Sequence, residues 1–168
     1  VINENNMGEY LAEENENNPI WKKLAEALEV CTADVGISSK QEWEQNGCFL
    51  IKEIAKQYGA INTVNCIRET IKGDCSWELY WLARASIKEV QSILVELLNS
   101  NNEDELTSAV CGLLHFDNEL AWNTLKKLIK GEHKVKLSES ASFYFLEDLG
   151  LINNEKSNEL IKLIKTNT

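Results

Sequence analysis

Cys111 and His115 are the side chains whose types and spacing best suit chemistry. They stand four positions apart, which places them on one face of a helix. There they could supply two metal ligands, or a thiol with its base. A zinc site needs at least one further ligand, and the sequence has no second Cys/His pair to complete it. We therefore interpret Cys111 and His115 as residues at the margin of a core face.

Paired carboxylates are the next candidates, because they can act as general acids and bases. Glu13/Glu14 and Asp104/Glu105 are adjacent in sequence, and adjacent helical positions point in different directions. Both pairs lie in strongly polar stretches, which is typical of a solvated face. Phosphate-binding loops, zinc-protease motifs and nucleophile elbows are absent from the sequence. The sequence therefore predicts no enzyme, no cofactor and no metal.

Lysines are concentrated in one short stretch that raises the possibility of nucleic-acid binding. Lys126, Lys127, Lys130, Lys134 and Lys136 are opposed only by Glu132. Lysines near a helix C-terminus also interact favourably with the helix dipole, which explains the first three without a ligand. The chain has a net charge of −10, and such a charge repels nucleic acid. We predict no direct nucleic-acid partner.

The acidic residues are unevenly distributed. Residues 1–46 hold ten acids and three lysines, whereas residues 47–168 hold seventeen acids and fourteen bases. This balance favours a basic partner and disfavours anionic membranes, although solubility alone is an alternative explanation. The candidate partner-binding residues are three acidic clusters and two nearby tryptophans, which would anchor an interface: Glu42, Trp43, Glu44, Glu103, Asp104, Glu105, Asp117, Glu119 and Trp122.

Most of these acids are expected near helix starts. Because alternate helix starts gather on one edge of a helical stack, we expect the clusters to merge into one negative rim. The competing interpretation places both tryptophans in the core, and for Trp43 it is favoured by the helical phase of its neighbours.

Hydrophobic periodicity and a single proline predict helices throughout. Asn18 is expected to cap a helix that begins at Pro19, and Ser39 with Glu42 to form a capping box for the next helix. The predicted inward residues of that second helix are Trp43, Leu50, Ile54 and Tyr58. Further along, we expect one helix over 86–99, one capped by Asp117, and one from Ser138 that stops at Gly150.

Helices of this length must be stabilised by packing on their neighbours, and short joints make successive helices antiparallel. The prediction is an all-α fold of stacked antiparallel helical hairpins with about 8–9 helices, either a HEAT-like α-solenoid or a compact bundle. We expect one domain over 1–168, with 1–17 a loosely ordered acidic segment. The start lacks the pattern of a secretory signal, no stretch is apolar enough to span a membrane, and the five cysteines are irregularly spaced. We therefore expect a cytoplasmic protein with reduced thiols.

This small, acidic, Asn- and Glu-rich chain has five tryptophans, a helical pattern and no catalytic motif. In that character it resembles the all-helical immunity proteins of bacterial contact-dependent growth inhibition systems. The resemblance spans the whole chain but transfers no functional residue. It implies that the chain binds a cognate toxin domain and blocks its active site or substrate surface. The implied toxin is a basic nuclease, whose cleft an acidic inhibitor occupies as an RNA mimic.

Two other hypotheses stay open. A HEAT-like scaffold or adaptor without catalytic activity predicts a binding surface of mixed polarity rather than one acidic rim. A small enzyme or nucleic-acid binder predicts salt-sensitive binding through Lys126–Lys136, or a metal at Cys111 and His115.

Overall fold

The computed structural model describes residues 18–167, which form nine α-helices and no strand. This confirms the predicted all-α fold. The acidic segment 1–17 lies outside the described residues. The helices are α1 (Pro19–Cys31), α2 (Ile37–Tyr58), α3 (Ala60–Thr70), α4 (Ser76–Arg84), α5 (Gln91–Leu97), α6 (Glu103–Leu114), α7 (Glu119–Ile129), α8 (Glu139–Ile152) and α9 (Glu155–Asn167), with a 3₁₀ turn at Lys88–Val90.

The described residues divide into two compact units, one ending at Val90 and one beginning at Gln91. In the first unit, helices α1 to α4 all contact one another, and the 3₁₀ turn packs on α3 and α4. Trp21, Leu24, Ile51, Ile67 and Leu82 are fully buried at its centre. This unit is a small helical bundle. Whether the two units belong to the single domain predicted over 1–168 is not decided by this division, and that domain remains a prediction.

The second unit consists of stacked hairpins. Helices α6 and α7 form one antiparallel hairpin and α8 and α9 the next. Between the hairpins, α6 packs on α8 and α7 packs on α9, while α5 packs on α6. Leu106, Leu113, Trp122 and Phe145 are fully buried between these layers. The layered contacts are those of an α-solenoid, so the predicted stack of hairpins describes this unit.

Side-chain caps start several helices where the sequence predicts them. The Asn18 side chain accepts hydrogen bonds from the backbone N–H groups of Ile20 and Trp21, each at 3.1 Å, and Ser138 accepts one from Ala141 at 3.2 Å. The predicted Asp117 cap is wrong, because Asn118 performs that role for α7. Asp117 instead lies in the joint with a φ of 53°.

The start and inward face of α2 differ from prediction. The helix begins at Ile37, so Ser39 lies inside it and the predicted capping box is wrong. The buried stripe consists of Glu44, Gly47, Cys48, Ile51, Ile54 and Ala55. Of the four residues predicted inward, only Ile54 is buried. The stripe lies elsewhere because α4 supplies a partner for the Glu44 carboxylate, which can then occupy an inward position.

Two predicted helix ends are also wrong. The expected helix over 86–99 is interrupted, because Ser86 has a φ of 63° and a 3₁₀ turn precedes α5. Helix α8 continues through Gly150 and ends at Ile152, where Asn153 takes the left-handed conformation. Asparagine tolerates that conformation better than most residues, so no glycine is needed at this stop. No helix within 18–167 is both long enough and apolar enough to cross a bilayer.

Candidate protein-binding surfaces

The outward side of α2 exposes three large apolar side chains. Trp43 is 40% exposed, Phe49 is 61% exposed and Leu50 is 41% exposed. Trp43 and Leu50 are two helical turns apart on one side, and Phe49 adjoins Leu50. Glu42 and Glu53 are exposed beside them. We call these five residues the α2 face. Exposed aromatic side chains on a helix surface are enriched in protein-binding surfaces.

A shallow groove of about 310 Å³ runs between α1 and α2 beside the α2 face. Leu50 and Glu53 belong to both features. The Lys23 ammonium on α1 donates a hydrogen bond across the groove to the Gln57 amide oxygen on α2, at 3.0 Å. The groove is lined by Lys23, Glu26, Ala27, Leu50, Glu53, Ile54 and Gln57. Its apolar floor and charged rim suit a side chain of a partner protein.

Glu44 was predicted as a binding residue, but the structure places it in the interior of the first unit. Its carboxylate lies 3.3 Å from an Arg84 guanidinium nitrogen and 3.8 Å from the Lys40 ammonium. Arg84 also donates a hydrogen bond to the Tyr80 hydroxyl at 2.9 Å and lies over the Trp81 ring, 5.3 Å from its centroid. Glu44 therefore holds α2 against α4, whereas Glu42 and Trp43 point outward.

In the second unit, the starts of α7 and α9 form an acidic edge around Lys156. The Lys156 ammonium lies 3.7 Å from Asp117 and 3.4 Å from Glu119. Glu155 and Glu159 are exposed on the same helix as Lys156, so acids outnumber bases at this end of the unit. We call Asp117, Glu119, Glu155 and Glu159 the acidic edge. The starts of α7 and α9 thus lie on one edge of the second unit.

Trp122 is buried, at 1% exposure, and therefore cannot be an exposed anchor on the acidic edge. Its indole N–H donates a hydrogen bond to Asp117 at 2.8 Å, and the Lys156 ammonium lies 5.6 Å from its ring centroid. The competing core interpretation is therefore correct for Trp122. For Trp43 that interpretation is wrong, since this residue lies on the α2 face.

Glu103, Asp104 and Glu105 lie at the other end of the α6–α7 hairpin. The two helices are antiparallel and α6 is 12 residues long, so its start is about 18 Å from the start of α7. Glu103 accepts a hydrogen bond from the Ser138 backbone N–H, and Glu105 accepts one from the Ser100 hydroxyl. Lys126 and Lys127 are in the last turn of α7, at this same end. The predicted single rim is thus replaced here by one acidic edge and one end of mixed charge.

Cys111 and His115 do not form a metal site with other described residues. No group of three or more His, Cys, Asp and Glu side chains within 18–167 could hold a metal ion. Cys111 is fully buried, and the His115 Nε2 atom lies 2.5 Å from the Asp148 Oδ1 atom on α8. This contact joins the two hairpins of the second unit and agrees with the interpretation of both residues as parts of a core margin.

Sequence reasoning missed Phe49, Arg84 and Asp148. Phe49 is two positions before the buried Ile51 and so lies about 200° away from it around the helix, and only the correct phase of α2 reveals that Phe49 points outward. Arg84 is the partner of Glu44 but lies 40 positions away on another helix, and Asp148 is the partner of His115 but lies 33 positions away on another helix.

No protein-family model, curated protein or solved structure matches this chain. The geometry of its surfaces therefore carries the functional argument.

Proposed function

We propose that this chain is an immunity protein. It binds a cognate basic toxin domain of the nuclease class and neutralises it by covering the active site or the substrate surface. The observation that carries this proposal is the α2 face, where three large apolar side chains are exposed between carboxylates. The chain itself performs no catalysis in this role.

The apolar part of the α2 face would supply the strength of binding. Tryptophan and other large aromatic side chains dominate interface energetics when a partner excludes water from them. Trp43, Phe49 and Leu50 are each at least 40% exposed, so all three have surface left to bury. The adjoining groove would accept a side chain of the toxin and extend the contact onto α1.

The carboxylates would select a basic partner. Glu42 and Glu53 flank the apolar anchors, and the acidic edge adds four more carboxylates in the second unit. The net charge of −10 attracts a basic domain at long range and increases its association rate. A nuclease cleft that binds phosphates offers the complementary positive charge.

The first test is to tag the full chain, purify it from its native strain and identify what is retained. We expect a stoichiometric basic toxin fragment encoded immediately upstream, retained at moderate salt. Co-expression of that fragment with the chain should restore growth that the fragment alone prevents. Recovery of nucleic acid, or growth arrest that the chain does not relieve, would refute the proposal.

Substitution of the apolar anchors should weaken toxin binding. We expect Trp43→Ala and Phe49→Ala each to raise the dissociation constant by at least about 10-fold, since truncation of an interface hot spot costs about 2–4 kcal/mol. Surface plasmon resonance against the purified toxin fragment measures the change. Phe143→Ala is the matched control, because Phe143 on α8 is 61% exposed like Phe49. Equal losses for Phe49→Ala and Phe143→Ala would show that the α2 face is not the site.

Charge reversal on the acidic edge should slow the association of the toxin with the chain. Glu119→Lys is expected to slow toxin association about 10-fold at low salt and to leave dissociation nearly unchanged. Glu139→Lys is the matched control, because both residues are the first of their helices and lose the same favourable dipole contact. Stopped-flow association at two salt concentrations distinguishes them. Identical rates for the two variants would exclude the acidic edge from steering.

The alternative function is that of a HEAT-like scaffold or adaptor without catalytic activity. Helix α8 favours it, because the second unit stacks hairpins and exposes Phe143 and Tyr144, whose ring centroids are 6.2 Å apart in an edge-to-face arrangement. This alternative predicts that the purified chain retains a protein that is not a toxin. It also predicts that Phe143→Ala, rather than Phe49→Ala, releases that protein.

A further inference from the structure

Two cysteines of the first unit lie against each other. Cys31 is the last residue of α1 and Cys48 lies in the middle of α2. Both are buried, at 4% and 8% exposure, and their thiols hydrogen-bond to one another. Both are free thiols. The five cysteines are irregularly spaced in the sequence, and this spacing does not predict that Cys31 and Cys48 lie close together.

Gly47 makes the close approach possible. A Cβ atom at this position would lie 2.3 Å from the Cys31 Sγ atom, 2.8 Å from the Cys31 backbone nitrogen and 3.0 Å from its Cα atom. The backbone of α2 therefore touches the end of α1 at the residue next to Cys48. This contact between two helices places the Cys31 sulfur against the residue that precedes Cys48.

We propose that Cys31 and Cys48 are a redox modification site, at which hydrogen peroxide converts the two thiols into one disulfide. The Cys48 thiolate attacks one peroxide oxygen, the O–O bond breaks, and the departing oxygen takes up a proton to leave as water. The Cys31 sulfur then attacks the Cys48 sulfenic acid, the S–O bond breaks, and a second water leaves. Two thiols and one peroxide thus give one disulfide and two waters, with both sulfurs oxidised and the peroxide reduced.

The surroundings of the pair assign the roles of the two sulfurs. The hydrogen bond with the Cys31 thiol lowers the pKa of Cys48, whereas burial raises it; the Arg84 guanidinium lowers this pKa and the Glu44 carboxylate paired with Arg84 raises it. The same hydrogen bond, together with burial, raises the pKa of Cys31. Cys48 is also the more exposed of the two cysteines, at 8% against 4%, so we assign it as the attacking thiol and Cys31 as the resolving thiol. Burial raises the pKa of Cys66 and of Cys75, which makes both less reactive at neutral pH.

The disulfide would close the loop from 31 to 48, which contains the α1–α2 joint and the first half of α2. That loop includes Glu42 and Trp43, so oxidation would fix the position of part of the α2 face. A cross-link over a loop of this length restricts the unfolded chain. We expect the oxidised protein to unfold at a temperature about 5–10 °C higher than the reduced protein.

The test treats the reduced full chain with hydrogen peroxide, blocks remaining thiols with iodoacetamide and maps disulfides by peptide mass spectrometry without reduction. We expect an intramolecular Cys31–Cys48 cross-link, reversed by dithiothreitol, while Cys66, Cys75 and Cys111 are recovered alkylated. Cys48→Ser and Cys31→Ser should abolish the cross-link, and Cys75→Ser should preserve it.

Three results would overturn the proposal. They are oxidation of Cys75 ahead of Cys48, accumulation of Cys48 sulfinic acid without a cross-link, and recovery of all five cysteines as thiols after peroxide treatment. Because the readout is made on the unsubstituted chain, it does not depend on whether a cysteine variant folds. It also does not depend on the identity of a protein partner, so it succeeds or fails independently of the proposed function.

Discussion

Glu44→Ala is expected to lower the free energy of unfolding by about 3–5 kcal/mol, because it removes one half of a nearly buried ion pair with the Arg84 guanidinium. Both side chains of this pair are about nine-tenths buried, with 11% and 10% exposure, and they join α2 to α4. Urea denaturation followed by circular dichroism measures the change. The hydrogen bond from Arg84 to Tyr80 remains in the variant but cannot neutralise the charge.

Glu53→Ala is the matched control for this prediction. Glu53 is on the same helix and lies 3.9 Å from Lys56, but both side chains of that pair are at least half exposed. Exposed pairs contribute little, so we expect a change within about 0.5 kcal/mol. The double variant Glu44→Leu with Arg84→Met should recover most of the lost stability, because it removes both buried charges. A loss below about 1 kcal/mol for Glu44→Ala would contradict the prediction.

Gly47→Ala is expected to destabilise the first unit by about 3 kcal/mol or more, because the added methyl group overlaps the end of α1. Two of the three nearest atoms, at 2.8 Å and 3.0 Å, belong to the Cys31 backbone and cannot rotate away. The helices must therefore separate. Separation would also pull the thiols of Cys31 and Cys48 apart, so the variant should lose the peroxide-induced cross-link. Thermal and urea unfolding measure the stability.

Gly150→Ala should stabilise the protein, in contrast to Gly47→Ala. Gly150 lies inside α8, where, among the described residues, no atom outside its own helix backbone and chain neighbours is within 4 Å of an added Cβ. Alanine restricts the unfolded chain and favours helix, so we expect a gain of about 0.5–1 kcal/mol. If both variants stabilise the protein, α1 and α2 are farther apart in solution than the structure places them.

The positions of most helices along the chain can be predicted from local sequence. Asn18 before Pro19 and Ser138 before the α8 segment cap helices because a cap involves residues only two or three positions apart. Hydrophobic spacing predicts where helices exist for the same reason. The left-handed residues Ser86 and Asn153 were missed, since these residue types adopt that conformation only when the packing around them requires it.

The sequence predicts the exposure of the candidate binding residues only in part. The sequence points to Glu42 and Trp43 as partner-binding residues, and both are exposed on the α2 face. It also points to Glu44 and Trp122, which are buried. Adjacent residues such as Trp43 and Glu44 are about 100° apart around a helix, so a small error in phase exchanges a surface residue for a core residue.

By itself, the sequence determined that this protein is helical, acidic and without a known catalytic motif, because these properties depend on composition and on contacts within a few residues. Only the tertiary structure decided which acids are available to a partner. It paired Glu44 with Arg84, separated Glu103 from Glu119 by the length of a helix, and brought Cys31 against Cys48. Each of these relations joins residues on different helices, and the packing that joins them depends on the fit of whole helical faces rather than on any local pattern.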